Sequence, residues 1–432
     1  MTGHGLIVAA PASGCGKTTI TLGLLRALSR TGVAVRGAKS GPDYIDPRFH
    51  EAACGQPCMS LDAWAMRPER IRSLAATPDL LLIEGAMGLF DGAPPDGEGA
   101  TADLALLLDL PVVLVIDAAR QAQSVAPLVA GFAAHDPAVR IAGVILNRVG
   151  SERHAAMLYH ALAPLDIPVL GAIPRDSALV VPSRHLGLVQ AGEHPDLTCF
   201  LDRAADRVAA HLDLDALQAL AAPVRAAIPA HDMHPGQTGR QRIAIARDEA
   251  FSFVYPHDLA MWRRAGAELR FFSPLANEAV PEADRIFLPG GYPELHAARI
   301  SCADTFIQSI KKASETTDIY GECGGYMVLG ETLTDADGTR HRMAGLLALD
   351  TSFAARKLTL GYRTLCGRPG RTARASDVPG RFTAHEFHYA TTLRAEGEPL
   401  WQARDAEGHR LPDMGLVKGH VSGSFAHIID VV

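Results

Sequence analysis

Short runs of consecutive apolar residues alternate with longer segments of helical period through residues 1–200. Such runs predict strands buried on both faces, as in parallel sheets that are covered by helices. The runs are 6–10, 80–83, 112–116, 141–146 and 169–173. Between the first two, residues 18–30 place leucines at helical spacing, and Gly32 follows where a helix would end. This rhythm predicts a doubly wound α/β domain.

The pattern lapses over residues 221–241, which contain three prolines, two glycines and no apolar period. A linker is the expected structure there. Apolar strand patterns resume at 243–246, 285–288 and 318–320, and the last hundred residues are richer in strand and turn signals. We therefore predict two α/β domains, residues 1–225 and 242–432, joined by a linker at 226–241.

A glycine-rich segment, APASGCGKTT at residues 10–19, follows the first predicted strand directly. Glycines there let backbone N–H groups surround phosphate oxygens, and the next helix presents its positive end. Lysine in this position reaches the β- and γ-phosphates, and the next hydroxyl binds Mg²⁺. The P-loop pattern begins with Gly, where this chain has Pro11. The predicted nucleotide-binding residues of the loop are Ser13, Gly14, Gly16, Lys17, Thr18 and Thr19.

Two acidic clusters are expected beside this loop. Glu84 and Asp91 follow the run at 80–83, and Asp43 and Asp46 lie near Lys39 in a Pro/Gly-constrained segment. Carboxylates at the carboxyl ends of parallel strands lie where open α/β sheets bind ligands, and they hold Mg²⁺ directly or through water. The predicted metal ligands are Thr18, Asp43 and Glu84.

A candidate nucleophile lies in the second half of the chain. The strand at 318–320 runs into Gly-Glu-Cys-Gly-Gly, which places Cys323 between small residues at a strand-to-helix turn. We expect the helix N-terminus to lower the pKa of this thiol, and backbone N–H groups near Gly291 and Gly324 to bind an oxyanion. The base must come from elsewhere in the sequence, and His427 is the best candidate.

Composition limits the classes of partner. The 432 residues carry 41 Lys+Arg against 48 Asp+Glu, a net charge of −7 without a basic block, which argues against nucleic acid as a partner. Seven scattered cysteines fit a reducing compartment. The longest apolar stretch, residues 104–116, contains Asp109 and Pro111 and is too short to span a membrane. We expect a cytoplasmic protein.

The motifs together resemble those of glutamine-dependent amidoligases, specifically the cobyrinic or hydrogenobyrinic acid a,c-diamide synthases of corrinoid biosynthesis. The similar segments span nearly the whole chain. They are residues 39–47, 88–92, 143–148, 173–175 and 182–187 in the first half, and 290–294, 322–325, 360–363, 385–389 and 424–427 in the second.

The resemblance implies a P-loop ligase domain of the dethiobiotin synthetase type, followed by a class I glutamine amidotransferase domain. It implies that Cys323 is the nucleophile and His427 its base. It places Asn147 near the nucleotide base and the acidic residues in the ligase site. Those acidic residues are Asp43, Asp46, Glu84 and Asp91.

One position departs from the wider class. Many class I amidotransferases have a Glu two residues after the catalytic His, and this chain has Ile429 there. The resembling subfamily is described as working with a Cys/His pair. Candidates for orienting the His427 ring are Asp430, Glu386 and a backbone carbonyl.

The implied substrates are ATP, glutamine and a corrinoid polyacid, with Mg²⁺ as cofactor and a homodimer as the expected assembly. Two acetate side chains would be amidated through acyl phosphates, with ammonia from glutamine. A polyacid on an acidic protein requires a confined basic pocket, for which Arg48 and Arg184 are candidates. Two alternatives stay open: an amidoligase for another tetrapyrrole polyacid, such as nickel-sirohydrochlorin, and a regulatory P-loop ATPase with an inert glutaminase-like domain.

Overall fold

The computed structural model describes residues 3–176, 179, 183–184, 187–188, 190–225, 241–367 and 380–432. The chain divides into two compact units, Met1–Ala230 and His231–Val432. The predicted linker at 226–241 lies outside the described residues except for Gln241. Among the described residues, no helix combines the length and apolar character that crossing a membrane would require.

The first unit alternates strands and helices. Its strands are β1 (His4–Ala9), β2 (Val35–Ser40), β3 (Met59–Leu61), β4 (Leu80–Glu84), β5 (Val112–Asp117), β6 (Ile141–Val149), β7 (Val169–Pro174), β8 (Ser183–Arg184), β9 (Gly187–Leu188) and β10 (Ala222–Pro223). Its helices are α1 (Lys17–Arg30), α2 (Asp46–Cys54), α3 (Pro68–Ala75), α4 (Thr101–Leu108), α5 (Val125–His135), α6 (Glu152–Leu162), α7 (Leu197–His211) and α8 (Leu214–Leu220).

The main sheet of this unit has the order β3-β2-β4-β1-β5-β6-β7, and β10 pairs antiparallel with β1. The other pairs are parallel, and all five predicted strands are present. Parallel register aligns Lys39 of β2 with Glu84 of β4, so both side chains lie at the carboxyl ends of neighbouring strands. The doubly wound α/β domain is confirmed.

Helix α1 connects the phosphate loop to the core. Its residues Leu22, Leu25 and Leu28 are fully buried in one cluster with apolar side chains of α7. Gly23 allows the two helices to approach closely, because a Cβ there would lie 2.6 Å from Val208 Cγ2. The sheet and this helix pair hold the start of α1 in a fixed position against the strand ends.

The second unit contains four α-helices in its described residues, together with many strands and the turns and loops that connect them. The strands are β11 (Arg242–Ala246), β12 (Glu268–Phe272), β13 (Arg285–Leu288), β14 (Asp318–Glu322), β15 (Thr332–Thr334), β16 (Arg340–Arg342), β17 (Ala348–Ser352), β18 (Thr359–Gly367), β19 (Arg381–His388), β20 (Thr391–Glu396), β21 (Trp401–Arg404), β22 (Leu416–Lys418), β23 (Val421–Ser424) and β24 (His427–Val431). The helices are α9 (Pro256–Arg264), α10 (Ala297–Ser301), α11 (Asp304–Ala313) and α12 (Gly324–Leu329).

A six-stranded sheet of order β12-β11-β13-β14-β23-β22 forms the centre of this unit, and two four-stranded sheets, β16-β15-β17-β20 and β21-β18-β19-β24, accompany it. Strands β13, β14 and β23 are parallel neighbours, which aligns their carboxyl ends. After α12, the described residues form strands β15–β24 with turns and loops, as the sequence predicts. Gly290, Cys323 and His427 all follow closely on these aligned strand ends.

Candidate active sites

The phosphate loop links β1 to α1 and depends on two glycines with left-handed backbone. Gly14 has φ 82° and Gly16 has φ 93°, conformations that glycine adopts without steric cost. A Cβ on Gly16 would lie 2.2 Å from Asn147 Nδ2. Ser13 and Gly14 are exposed at the tip of the loop, whereas Lys17 is buried at its base. The loop therefore has the shape that its sequence predicts.

Lys17 is held by backbone carbonyls. Its ammonium donates to the carbonyl oxygen of Ala12 at 3.2 Å and to that of Met87. Burial, followed by the positive charge of Lys39, lowers the pKa of Lys17. The two carbonyl contacts keep the ammonium beside the loop, close to where phosphate oxygens would lie.

Glu84 is the centre of the polar network at the end of β4. Its Oε1 accepts hydrogen bonds from Thr18 Oγ1 at 2.6 Å and from Lys39 Nζ at 2.8 Å. Its Oε2 lies 2.6 Å from Nε2 of His50, a residue that the sequence reasoning missed. Burial opposes the charge of Glu84, but Lys39 and the His50 hydrogen bond outweigh it and hold the Glu84 pKa well below its ordinary value.

Lys39 joins the two acidic clusters. Its ammonium lies 2.6 Å from Asp46 Oδ2 as well as 2.8 Å from Glu84 Oε1, and all three side chains are buried. Burial alone would lower the pKa of Lys39, but the carboxylates of Asp46 and Glu84 outweigh burial and raise it. Lys39 is therefore a fixed positive charge between two carboxylates.

The remaining predicted acids lie in turns. Asp43 accepts the N–H groups of Ile45 at 2.7 Å and Asp46 at 3.3 Å, and burial together with the Asp46 carboxylate raises the pKa of Asp43. Asp91 accepts the N–H of Gly88 at 2.8 Å and so closes the turn that follows β4. The structure thus gathers Thr18, Glu84, Lys39 and Asp46 by direct contact, and places Asp43 next to Asp46.

Asn147 contacts the phosphate loop from the end of β6. Its Nδ2 donates to the carbonyl of Cys15 at 2.9 Å, and its Oδ1 accepts the N–H of Arg148 at 2.9 Å. Arg148 in turn pairs with Asp117 at 2.5 Å. A small cleft that is open to solvent lies here, lined by Gly16, Thr19, Ile20, Asn147, Arg148, Ile173, Pro174, Asp176, Leu179, Ala204, Arg207 and Val208. Its position beside the loop suits a nucleotide base.

Cys323 occupies a strained elbow between β14 and α12. Its backbone has φ 46° and ψ −103°, and its N–H donates to the carbonyl of Ser424 at 2.9 Å. A Cβ on Gly325 would lie 2.0 Å from the carbonyl oxygen of Leu288, so the turn requires glycine there. The strand–Cys–helix elbow that the sequence predicts is present.

The thiol differs from the sequence expectation in one respect. Burial, followed by the charge of Glu294, raises the pKa of Cys323, although the Gly324 N–H acts in the opposite direction. The expectation of a lowered pKa is therefore wrong for the free chain. The six-residue helix α12 gives too little stabilisation to offset removal of the thiolate from water.

His427 lies beside the elbow at the start of β24. A Cβ on Gly290 would lie 2.4 Å from Cε1 and 3.2 Å from Nε2 of the His427 ring, and 3.3 Å from Cys323 Cβ. Gly290 therefore packs against the side chains of both His427 and Cys323. The other ring nitrogen, His427 Nδ1, lies 3.6 Å from Glu322 Oε2. The sequence reasoning assigned no role to Glu322.

Gly291 and Gly324, the predicted oxyanion residues, are adjacent in space. The backbone nitrogen of Gly291 would lie 3.1 Å from a Cβ on Gly324. Gly291 has φ 159°, and a Cβ there would lie 2.1 Å from the carbonyl oxygen of Ala250. Both glycines thus border the space next to Cys323 that an amide substrate would enter.

The two acids expected to orient His427 have other contacts. Glu386 pairs with Arg363 at 2.8 Å and with His388 at 3.0 Å. Asp430 accepts the N–H of Val431 at 2.8 Å through Oδ1. Neither contact orients the imidazole of His427.

Comparison with known proteins finds a matching family for each half of the chain. Residues 6–189 match the family described as the CobQ/CobB/MinD/ParA nucleotide binding domain, and residues 242–430 match the CobB/CobQ-like glutamine amidotransferase domain. A relative from Brucella anthropi, named hydrogenobyrinate a,c-diamide synthase, is 56% identical over 99% of this chain and 98% of its own length. The chain belongs to the hydrogenobyrinate a,c-diamide synthase family.

Other members of the family are similarly close. Relatives of the same name from Rhizobium meliloti and Mesorhizobium japonicum are 54% and 51% identical, and each match covers 99% of both chains. The family resemblance noted in the sequence is confirmed, as is the fold class of a P-loop domain followed by a class I amidotransferase domain. The chain is a glutamine-dependent, amide-forming ligase that binds nucleotide.

Proposed function

We propose that this chain amidates the a and c acetate side chains of hydrogenobyrinic acid, using ATP and glutamine. The observation that carries the proposal is the presence, in one chain, of a Cys323–His427 elbow and a phosphate loop with Glu84 bonded to Thr18. The shared name of relatives matched over nearly their full length supports the substrate.

The second unit would supply ammonia. His427 takes the proton of the Cys323 thiol as the sulfur attacks the side-chain amide of glutamine, and N–H groups at Gly291 and Gly324 stabilise the oxyanion. His427 then gives the proton to the departing nitrogen, which releases ammonia and leaves a thioester. Water, deprotonated by His427, hydrolyses the thioester to glutamate and restores the thiol. The raised pKa of the Cys323 thiol fits a mechanism in which a base removes the thiol proton as the sulfur attacks.

The first unit would form the amide bond. A carboxylate oxygen of the substrate attacks the γ-phosphorus of ATP, and ADP leaves as the acyl phosphate forms. Ammonia attacks the acyl carbon, phosphate leaves, and a proton is lost to give the amide. Lys17 neutralises charge on the β- and γ-phosphates, and Asn147 fixes the loop by its bond to Cys15.

The residues around Glu84 fit a Mg²⁺ ion, which prefers oxygen ligands. Thr18 Oγ1 and Glu84 Oε1 lie 2.6 Å apart at the foot of the phosphate loop, and these two would hold the ion. When bound, Mg²⁺ neutralises charge on the phosphates during transfer. Asp43 stays a proposed third ligand, and Asp46 and Asp91 stay proposed members of the ligase site.

The basic pocket for the polyacid is a further part of the proposal. Arg48 lies on α2, two residues from Asp46, and forms an ion pair with Glu51 at 2.8 Å. The side chain of Arg184 lies outside the described residues. The alternative of an inert glutaminase-like domain is disfavoured because Cys323, His427 and the flanking glycines lie together. The cytoplasmic location and the homodimer stay predictions.

The proposal that the second unit releases ammonia and the first unit forms the amide is tested with Cys323→Ala. We expect this variant to lose amidation driven by glutamine and to keep amidation driven by added ammonium salt at the wild-type rate. Product formation from hydrogenobyrinate is followed by mass spectrometry with each nitrogen source. Loss of the ammonia-driven reaction as well would contradict the proposed separation of glutaminase and ligase chemistry.

A further inference from the structure

An imidazole that takes and gives protons at Nε2 works best when Nδ1 faces a carboxylate, which fixes the ring and stabilises the imidazolium. In this chain Ile429 stands where many class I amidotransferases have that carboxylate. The group that orients His427 must therefore come from another part of the fold.

The side chain of Glu322 lies beside Nδ1 of the His427 ring. Its Oε2 is 3.6 Å from His427 Nδ1, and its Oε1 accepts the N–H of Ile428 at 3.3 Å. Both side chains are almost fully buried, with 2% and 3% of their surface exposed. One carboxylate therefore contacts the ring and the backbone directly after it, which restricts the rotation of the ring.

The fold keeps this contact in place from both sides. Glu322 is the last residue of β14 and is in register with Ser424 of β23, whose carbonyl accepts the Cys323 N–H. Gly290 packs against the Cε1–Nε2 edge of the ring and against Cys323. Strand β14 thus ends with the carboxylate of Glu322, and the next residue is the nucleophile Cys323. The Glu322 carboxylate lies beside Nδ1 of His427, the proposed base.

We propose that Glu322 is the positioning residue for His427, completing a Cys323–His427–Glu322 triad whose carboxylate precedes the nucleophile in sequence. In the free chain the Oε2–Nδ1 separation is long for a hydrogen bond. It shortens when His427 takes the thiol proton, because an imidazolium attracts the carboxylate more strongly than a neutral ring does. This assignment rests on the glutaminase half of the proposed function.

Other charged groups near His427 do not take this role. His385 is its register partner on β19, and burial, followed by the charge of His427, lowers the pKa of His385 to about 3, so it stays neutral. The neighbouring carboxylate of Glu386 is paired with Arg363 on β18. Cys323 is the proton donor itself. The structure thus places the carboxylate of Glu322 beside His427 Nδ1.

The test compares Glu322→Gln, Glu322→Asp and the surface control Glu268→Gln, whose exposed carboxylate pairs with Arg270. Glutamate release from glutamine is measured with ATP, Mg²⁺ and hydrogenobyrinate present. We expect Glu322→Gln to lower kcat about 100-fold with the glutamine KM within about twofold of wild type. Glu322→Asp should recover about tenfold of that loss, and Glu268→Gln should match wild type.

The pH profile separates positioning from packing. Removal of the negative charge makes the imidazolium harder to form, so the acid limb of kcat/KM should move to lower pH by about one unit in Glu322→Gln. Ammonia-driven amidation should be unchanged, and thermal unfolding monitors the fold. If Glu322→Gln is too unstable to assay, the Glu322→Asp profile decides, because a shortened carboxylate should keep the wild-type acid limb.

Any one of three results would overturn the assignment. Glu322→Gln could keep more than about half of the wild-type kcat, or it could change the glutamine KM alone. The third is that the kcat of Glu322→Asp is no higher than that of Glu322→Gln. A wild-type chain that amidates with ammonia but never releases glutamate would instead count against the proposed glutaminase function. The two failures are therefore distinguishable.

Discussion

Replacement of Lys39 by Met should destabilise the first unit more than any surface substitution. The ammonium of Lys39 lies 2.6 Å from Asp46 and 2.8 Å from Glu84, and all three groups are buried. Removing one partner of a buried ion pair leaves an uncompensated charge and costs about 3–5 kcal/mol. His50 still bonds to Glu84 in the variant, so we expect Lys39→Met to lower the free energy of unfolding by about 4 kcal/mol at pH 7.

The pH dependence has a definite sign. In the wild-type chain the Glu84 pKa is depressed, so this carboxylate stabilises the fold above about pH 4.3, its unfolded value, and loses that contribution as pH falls through the lower folded pKa. Without Lys39 the carboxylate binds a proton at higher pH. The difference in stability between the two chains should therefore be largest near pH 7 and shrink towards about pH 4.

Urea unfolding monitored by circular dichroism, together with hydrogen exchange of β2 and β4, measures the effect. Arg36→Met is the matched control, because Arg36 lies on the same strand and faces Asp79 at 3.8 Å with both side chains partly exposed. Arg36→Met should lower the free energy of unfolding by about 1 kcal/mol or less. If Lys39→Met costs no more than Arg36→Met, or if its effect grows on acidification, the reasoning about the buried charges is wrong.

Two further substitutions test the sites. Gly290→Ala places a methyl group 2.4 Å from His427 Cε1. We therefore expect the rate of glutamate release to fall about 100-fold while ammonia-driven amidation persists. An unchanged rate of glutamate release would contradict the close packing of Gly290 against His427. Asn147→Ala removes the bond to the Cys15 carbonyl at 2.9 Å, and a loss of about 1–1.5 kcal/mol should raise the ATP KM about tenfold. Glutamine KM is the internal control for Asn147→Ala, and an unchanged ATP KM would show that the bond does not shape the nucleotide site.

The sequence predicted five of the eight strands in the main sheet of the first unit, because those five are buried on both faces and therefore apolar throughout. Strand β2 was not among the predicted apolar runs, since its sequence, VRGAKS, contains Arg36 and Lys39. Lys39 is buried there only because Asp46 and Glu84 neutralise it. Such compensation is a tertiary property that a hydrophobic pattern does not contain.

In the candidate sites, too, some features could be predicted from the sequence and others depend on tertiary contacts. Glycine spacing located the phosphate loop and the Cys323 elbow, because backbone shape at those points requires glycine. Glu322 and His50 were missed because their importance depends on which strands and helices meet. The sequence offered Asp430 and Glu386 as carboxylates to orient His427, whereas the fold places Glu322, at the end of β14 next to β23, 3.6 Å from His427 Nδ1.

The central claim is that one chain converts two acetate carboxylates of a corrinoid polyacid into amides with nitrogen from glutamine. The most direct measurement is mass spectrometry of hydrogenobyrinate after incubation with the chain, ATP, Mg²⁺ and glutamine labelled with ¹⁵N in its side-chain amide. We predict a product with two labelled amides, at the a and c positions, and none with more. An unchanged substrate, a different number of amides, or amides without label would contradict the account.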